Sequence, residues 1–225
     1  LPGLELKLKV YALAAGVMSM VQPTHPRLQK LVTICQLGGP LIPFKEPRAA
    51  IVAYLAFHYL SSGQIARLNA LSKHLAPSLK NTTLPIQIRL LSHAMTGLHE
   101  VITGKNEAYK ILDEGLTLAS PGEAFYSTVY AYRIYSDAMD HNLEHAKKQL
   151  VIFSDNIPSR QRMDLSHHDF MSAWITALES KYTMALEQSK LAKLLSKTLS
   201  FDFGVALNSN LSAQLMTLLG DFDNA

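Results

Sequence analysis

A short turn recurs along this chain at nearly constant spacing, and that recurrence narrows the choice of folds more than anything else in it. Five turns each follow one apolar helical run and precede another. They are Gly63-Gln64-Ile65-Ala66-Arg67-Leu68, Gly104-Lys105-Asn106-Glu107-Ala108, His141-Asn142-Leu143-Glu144-His145-Ala146, Ser180-Lys181-Tyr182-Thr183-Met184-Ala185 and Gly220-Asp221-Phe222-Asp223-Asn224-Ala225. Their first residues lie 41, 37, 39 and 40 positions apart. Each unit therefore holds a helix, a tight turn, a second helix and a longer return. A period near 40 with two helices per unit predicts an all-α fold, a right-handed α-solenoid of antiparallel helix pairs. Seven positions before each turn residue stand Ala56, Gly97, Ile134, Ala173 and Ala213. Four of these are small, as close approach of two helix backbones requires, and Ile134 departs from the pattern.

The segments between the turns carry helical periodicity. Ala108, Ile111, Leu112, Gly115, Leu116 and Ala119 form one stripe, and Leu143, Ala146, Leu150 and Phe153 another, both at the three- and four-residue spacing of a helix face. Pro26, Pro47 and Pro85 are placed to open helices. Ser120-Pro121-Gly122-Glu123 reads as a capped helix start, with the Ser oxygen on an orphan N–H and the Glu reaching back. Asn81-Thr82-Thr83 and Asn156-Ile157-Pro158-Ser159 read as connectors. Three prolines and two glycines between Gly38 and Pro47 mark a loop,. The expected organisation is residues 1–46 as two N-terminal capping helices with that loop, and residues 47–225 as helical repeats. Leu1 in place of an initiator Met, and a repeat turn at Gly220–Ala225, lead us to expect a piece of a longer chain whose array continues past the C-terminus.

Lys7 and Lys9 ahead of the apolar run Val10–Val21 imitate a signal peptide, but the run falls short of the ~20 residues a bilayer span needs. Glu5 and the lack of a small-residue cleavage site favour a first amphipathic helix, so a soluble, cytoplasmic protein is expected. Lys and Arg number 21 against 18 Asp and Glu, a net +3. That balance is too weak for an electrostatic grip on nucleic acid or anionic lipid. A single cysteine, Cys35, excludes an internal disulfide framework and a multi-cysteine zinc site,.

The turn Gly220-Asp221-Phe222-Asp223-Asn224-Ala225, preceded by Ala213, resembles the inter-helix turn of a tetratricopeptide repeat. The longer period, and the stretch from Phe170-Met171-Ser172-Ala173-Trp174 through Ala185-Leu186-Glu187 to Phe203-Gly204-Val205-Ala206-Leu207, are similar to the repeat segment of the STAND-class signal-transduction ATPases. That class includes the maltose-regulon activator family. The resemblance covers roughly residues 47–225. His141 and Ser180 stand where the repeat has its turn glycine, and the Gly104 turn is one residue short. The resemblance implies a regulatory sensor or scaffold segment of a transcriptional regulator, with ATPase and DNA-binding modules elsewhere in the parent chain. No Gly-x-x-x-x-Gly-Lys-Ser/Thr run is present, so no P-loop is expected in this segment,.

In tetratricopeptide repeats the residue six before the turn residue points into the concave groove. That column here reads Phe57, Leu98, Tyr135, Trp174 and Gln214, and four residues earlier stand Ala53, Ala94, Ala131, Phe170 and Asn210. The groove candidates are accordingly Phe57, Tyr135, Phe170 and Trp174 for apolar contact and Asn210 and Gln214 for hydrogen bonds. The bland alternative is that the aromatics pack the interior. The expected partner is a small effector, a peptide or a protein domain, the alternative function being a protein–protein scaffold without a small ligand. No cofactor, metal or catalytic centre is expected. His141 and His145 are four apart but lack a third ligand, and His167-His168-Asp169 reads as a polar helix start. Cys35 sits in an apolar helix, no serine lies in Gly-x-Ser-x-Gly, and Asp221 and Asp223 fall on a repeat turn. Lys147-Lys148 and Lys190, Lys193 and Lys197 read as solvated helix faces.

Overall fold

A computed structural model describes residues 2–43, 46–104, 107–156 and 162–224. Among them are eleven α-helices, one short 3-10 turn at Gly39–Leu41 and no strand. In order, the helices are α1 (Pro2–Val21), α2 (Pro26–Gly38), α3 (Glu46–Ser61), α4 (Ile65–Leu79), α5 (Ile86–Ile102), α6 (Ala108–Leu116), α7 (Tyr126–Met139), α8 (Leu143–Asn156), α9 (Arg162–Leu178), α10 (Tyr182–Thr198) and α11 (Asp202–Leu218). No helix among the described residues is long and apolar enough to cross a membrane. Phe44, Lys45, Lys105, Asn106, the connector residues 157–159 and Ala225 lie outside the described residues.

Every recurring turn residue occupies the left-handed region: Gly63 at φ +68°, Gly104 at +68°, His141 at +60°, Ser180 at +63° and Gly220 at +79°. At Gly63, His141, Ser180 and Gly220 the hydrogen bonds are those of a Schellman cap. The next residue's N–H reaches back to the carbonyl five residues earlier: Gln64 to Tyr59 at 2.7 Å, Asn142 to Asp137 at 2.9 Å, Lys181 to Thr176 at 3.2 Å and Asp221 to Met216 at 2.9 Å. These bonds satisfy carbonyls that a helix end leaves orphaned, and the left-handed residue reverses the chain. Ser200, at φ +52°, ends α10 in the same way.

The start of α7 differs from expectation. Gly122 stands at φ +97° and Phe125 at +70°, so no helix begins at Ser120 and α7 opens at Tyr126. Glu123 N–H instead bonds the Ser120 carbonyl at 3.2 Å. Pro at the second position and a positive-φ Gly at the third are the signature of a type II turn.

The chain divides into two compact units, Leu1–Arg133 and Ile134–Ala225, with the division inside α7. In the first, α1 packs on α2 and along α3, α3 packs on α4 and α5, and α5 packs on α4 and α6. Ala49 to Tyr59 of α3 are buried without a break, as are Leu90 to Gly97 of α5, so both are interior helices rather than amphipathic ones. Gly97 permits the α5–α6 approach: a Cβ there would lie 2.4 Å from Leu112 Cγ and Cδ2. α1 buries Leu8, Ala12 and Ala15 and exposes Leu6, Val10, Leu13 and Val17.

In the second unit α8 packs on α9, and α9, α10 and α11 pack on one another. Their core is Ala173, Ala185, Leu211 and Leu215, with Phe170, Trp174, Ala177, Tyr182 and Leu186 packed against it. Small polar residues let these helices close up. Ser166 and Ser196 share a buried hydrogen bond of 2.6 Å. Ser189 donates to the Asn208 carbonyl at 3.0 Å and lies 3.0 Å from Ser212 Oγ.

Candidate functional site

The second unit gathers most of the groove candidates. Tyr135 comes from the end of α7, Phe170 and Trp174 lie one turn apart on α9, and Asn210 and Gln214 one turn apart on α11. The Tyr135 and Trp174 rings meet edge to face, with centroids 5.2 Å apart at 63°. On its other side Tyr135 places its hydroxyl 2.8 Å from His167 Nε2. His167 in turn stacks on Phe170, with centroids 6.3 Å apart at 27°. Burial and the adjacent His168 push the His167 imidazole down to about 4, because a desolvated site disfavours the charged ring. It is therefore neutral at pH 7 and shares one hydrogen bond with the phenol. The result is a rigid aromatic wall of Tyr135, His167, Phe170 and Trp174.

Beside that wall lies a cavity of about 290 Å³ between α9, α10 and α11. Trp174 and Tyr182 flank it, Leu211, Leu215 and Leu218 line it, and Gln214 contributes an amide. Gln214 is exposed, whereas Trp174 is half-buried against the core. The arrangement offers an indole and a phenol ring, aliphatic contact, and one amide that can donate and accept. An apolar recess with few polar groups is the usual make-up of a small-ligand site.

The other candidates fall elsewhere. Phe170 packs on the interior. Asn210 is exposed and does not line the cavity. Phe57 belongs to the first unit and is only 6% exposed, in the unbroken buried run of α3. It is an interior residue there, as Ala53, Ala94 and Ala131 are.

The sequence missed His167. By sequence His167-His168-Asp169 has the look of a polar helix start, but α9 begins at Arg162, so these residues lie inside the helix and His167 meets a phenol 32 positions away. The one usable signal was spacing, since His167, Phe170 and Trp174 at i, i+3 and i+7 share a helix face. Lys147 is also more than a solvated residue. Its ammonium lies 2.6 Å from Glu144 and 2.6 Å from Glu179, tying α8 to the end of α9. Those carboxylates raise the affinity of Lys147 for its proton, and Lys147 and Lys181 lower that of Glu179.

His145 bonds Asp137 through Nδ1 at 2.8 Å, while His141 sits in the exposed turn. No group of three His, Cys, Asp or Glu placed to hold a metal occurs among the described residues. Cys35 is buried, and burial pushes its thiol up to about 11, which makes it a small interior residue rather than a nucleophile.

No family model matches the chain, and no curated protein sequence does.

Proposed function

We propose that this chain is a recognition segment, a tetratricopeptide-like right-handed α-solenoid that senses a ligand for a larger signal-transduction regulator. The observation that carries this reading is the cavity where Trp174 and Gln214 meet. Two positions chosen only by their distance from the repeat turn line the same recess. The left-handed conformation shared by all five turn residues supports the repeat register from which those positions were counted.

The favoured ligand is a small amphipathic effector, or a single side chain of a peptide, with one face that stacks on the indole and an edge that hydrogen-bonds the Gln214 amide. A recess of about 290 Å³ is at the lower end of ligand-pocket volumes, so it suits one ring rather than an extended molecule. The segment acts by binding alone and carries no catalytic group. A ligand shifts the regulator's equilibrium only through its differential affinity for the resting and active arrangements. ATP hydrolysis and DNA binding belong to other modules of the proposed parent chain, and a cytoplasmic setting fits that role.

The test is a thermal-shift screen of the 225-residue chain against sugars, nucleosides, amino acids and short peptides, repeated with Trp174→Ala and Gln214→Leu. A ligand at ~100 times its dissociation constant adds about 2.7 kcal/mol. The reading expects a shift that both variants lose while remaining folded. A shift that survives both variants assigns the ligand to another place and refutes this site. A flat response across the panel refutes the small-effector reading in favour of a protein–protein scaffold.

A further inference from the structure

The recess beside Trp174 has a counterpart one repeat earlier, and the difference between the two specifies its occupant. Counted six positions before each turn residue, Tyr135, Trp174 and Gln214 fall in one column. In the earlier step both column residues are aromatic, and their rings meet edge to face with centroids 5.2 Å apart. In the later step the partner of Trp174 is Gln214, and a cavity of about 290 Å³ stands beside the pair. Phe57 and Leu98, the first two members of the column, are apolar as well, so Gln214 is its one polar residue.

The ring contacts agree with the column. Phe170 stacks on His167, the His167 and Tyr135 centroids lie 5.7 Å apart, and Tyr135 meets Trp174. Among the described residues that run of rings ends at Trp174, where the cavity begins. A glutamine side chain is narrower than an indole and leaves open the space that a ring would fill.

The lining restricts the chemistry further. Four leucines supply aliphatic surface, and Ser180, Tyr182 and Gln214 supply polar groups. None of the lining residues is charged at neutral pH. A carboxylate, phosphate or ammonium entering the recess would therefore lose water without gaining a counter-charge. Benzene occupies an engineered cavity of roughly 150 Å³, so this larger recess holds one ring with a short substituent.

We infer that the occupant is a neutral aromatic ring carrying one hydroxyl or N–H group. It packs on Trp174 as Trp174 packs on Tyr135, and its polar edge bonds the Gln214 amide. The inference rests on the recognition reading above and names the chemical class of its ligand. Ring-on-ring packing adds to the effect of apolar burial, so a phenol is preferred to a saturated alcohol of the same size. The same ring can belong to a free molecule or to a tyrosine side chain of a peptide.

Trp174 is the only tryptophan, so its indole N–H gives a single resonance in an isotope-labelled sample and reports on the recess directly. The experiment titrates the full 225-residue chain with phenol, cyclohexanol, para-hydroxybenzoate and N-acetyltyrosinamide while following that resonance. Phenol is expected to move it saturably and to bind about three- to tenfold tighter than cyclohexanol. The charged para-hydroxybenzoate should bind more weakly than phenol. Either order between phenol and N-acetyltyrosinamide supports the ring and tells whether it arrives free or on a peptide. By calorimetry, Trp174→Leu should bind phenol and cyclohexanol equally. Gln214→Trp should raise the melting temperature and abolish phenol binding, because its own ring completes the column. Cyclohexanol that moves the Trp174 resonance and binds as tightly as phenol overturns the inference while leaving the recess a recognition site. No movement with any compound up to ~20 mM also overturns it alone, since an effector of another class would still register in the thermal-shift screen. Saturable calorimetric binding that leaves the Trp174 resonance still overturns the inference and the recognition reading together.

Discussion

His141→Gly should stabilise the protein, and the expected gain can be worked from the turn geometry alone. His141 holds φ +60° in an exposed turn, so replacing its side chain removes little packing. A residue with a Cβ in the left-handed region is disfavoured by about 1–2 kcal/mol. Glycine removes that strain but brings back roughly 0.5–1 kcal/mol of unfolded-state entropy. The net gain is about 0.5–1 kcal/mol. In a unit the size of Ile134–Ala225, 1 kcal/mol moves the midpoint by roughly 4–8 °C, so the expected rise is about 2–8 °C. Gly63→Ala is the mirror experiment. Gly63 stands at φ +68°, and an added Cβ would meet nothing within 4 Å, so any loss there is purely conformational and should be about 0.5–1 kcal/mol. Chemical denaturation at constant m-value reads both changes. A destabilised His141→Gly, or a Gly63→Ala indistinguishable from the parent, would refute the argument that the turns impose a left-handed residue.

Three further outcomes are expected. Gly97→Ala should destabilise the first unit by about 1–3 kcal/mol, because the new methyl would overlap fully buried Leu112,; a urea midpoint within error of the parent would contradict the packing described. The His167 imidazole, held down to about 4, stays neutral in the fold while an unfolded imidazole takes its proton near ~6.5. Its contribution is therefore intact above pH ~6.5 and is lost by up to about 3 kcal/mol as pH falls to ~4; His58 and His93, also lowered by burial, act in the same sense. His167→Gln should flatten that part of the acid limb, measured as the urea midpoint at pH 7 and pH 4.5, and an unchanged slope would contradict it. Cys35, buried with its thiol raised to about 11, should resist iodoacetamide at pH 8 until the protein is unfolded, whereas rapid native-state alkylation would count against its burial.

The helices and their turns were legible because their physics is local. Five turn residues picked out by spacing all adopt the left-handed conformation, including His141 and Ser180, where no glycine announces it. The Asn81 turn closes on itself as its residues imply, with the Asn81 side-chain oxygen accepting from Thr83 N–H at 3.0 Å. The start of α7 is not legible in the sequence because Ser-Pro-Gly-Glu satisfies two local rules at once, and only the positive φ of Gly122 decides between cap and turn. Burial was less legible. Phe57 looked like a groove residue because the repeat register says nothing of the helices that surround α3. His167 and Tyr135 are 32 positions apart, and no local pattern pairs an imidazole with a phenol at that distance.

The most direct measurement uses the fact that Trp174 is the only tryptophan in the chain. Its emission and its accessibility to acrylamide would be followed while the protein is titrated with the ligands that raise its melting temperature. Occupation of the recess should shield the indole, with a saturable fall in the quenching constant whose midpoint matches the thermal shift, and Gln214→Leu should weaken both together. Ligands that stabilise the protein while leaving Trp174 quenching unchanged would contradict the account, because recognition would then take place away from the recess that Trp174 and Gln214 share.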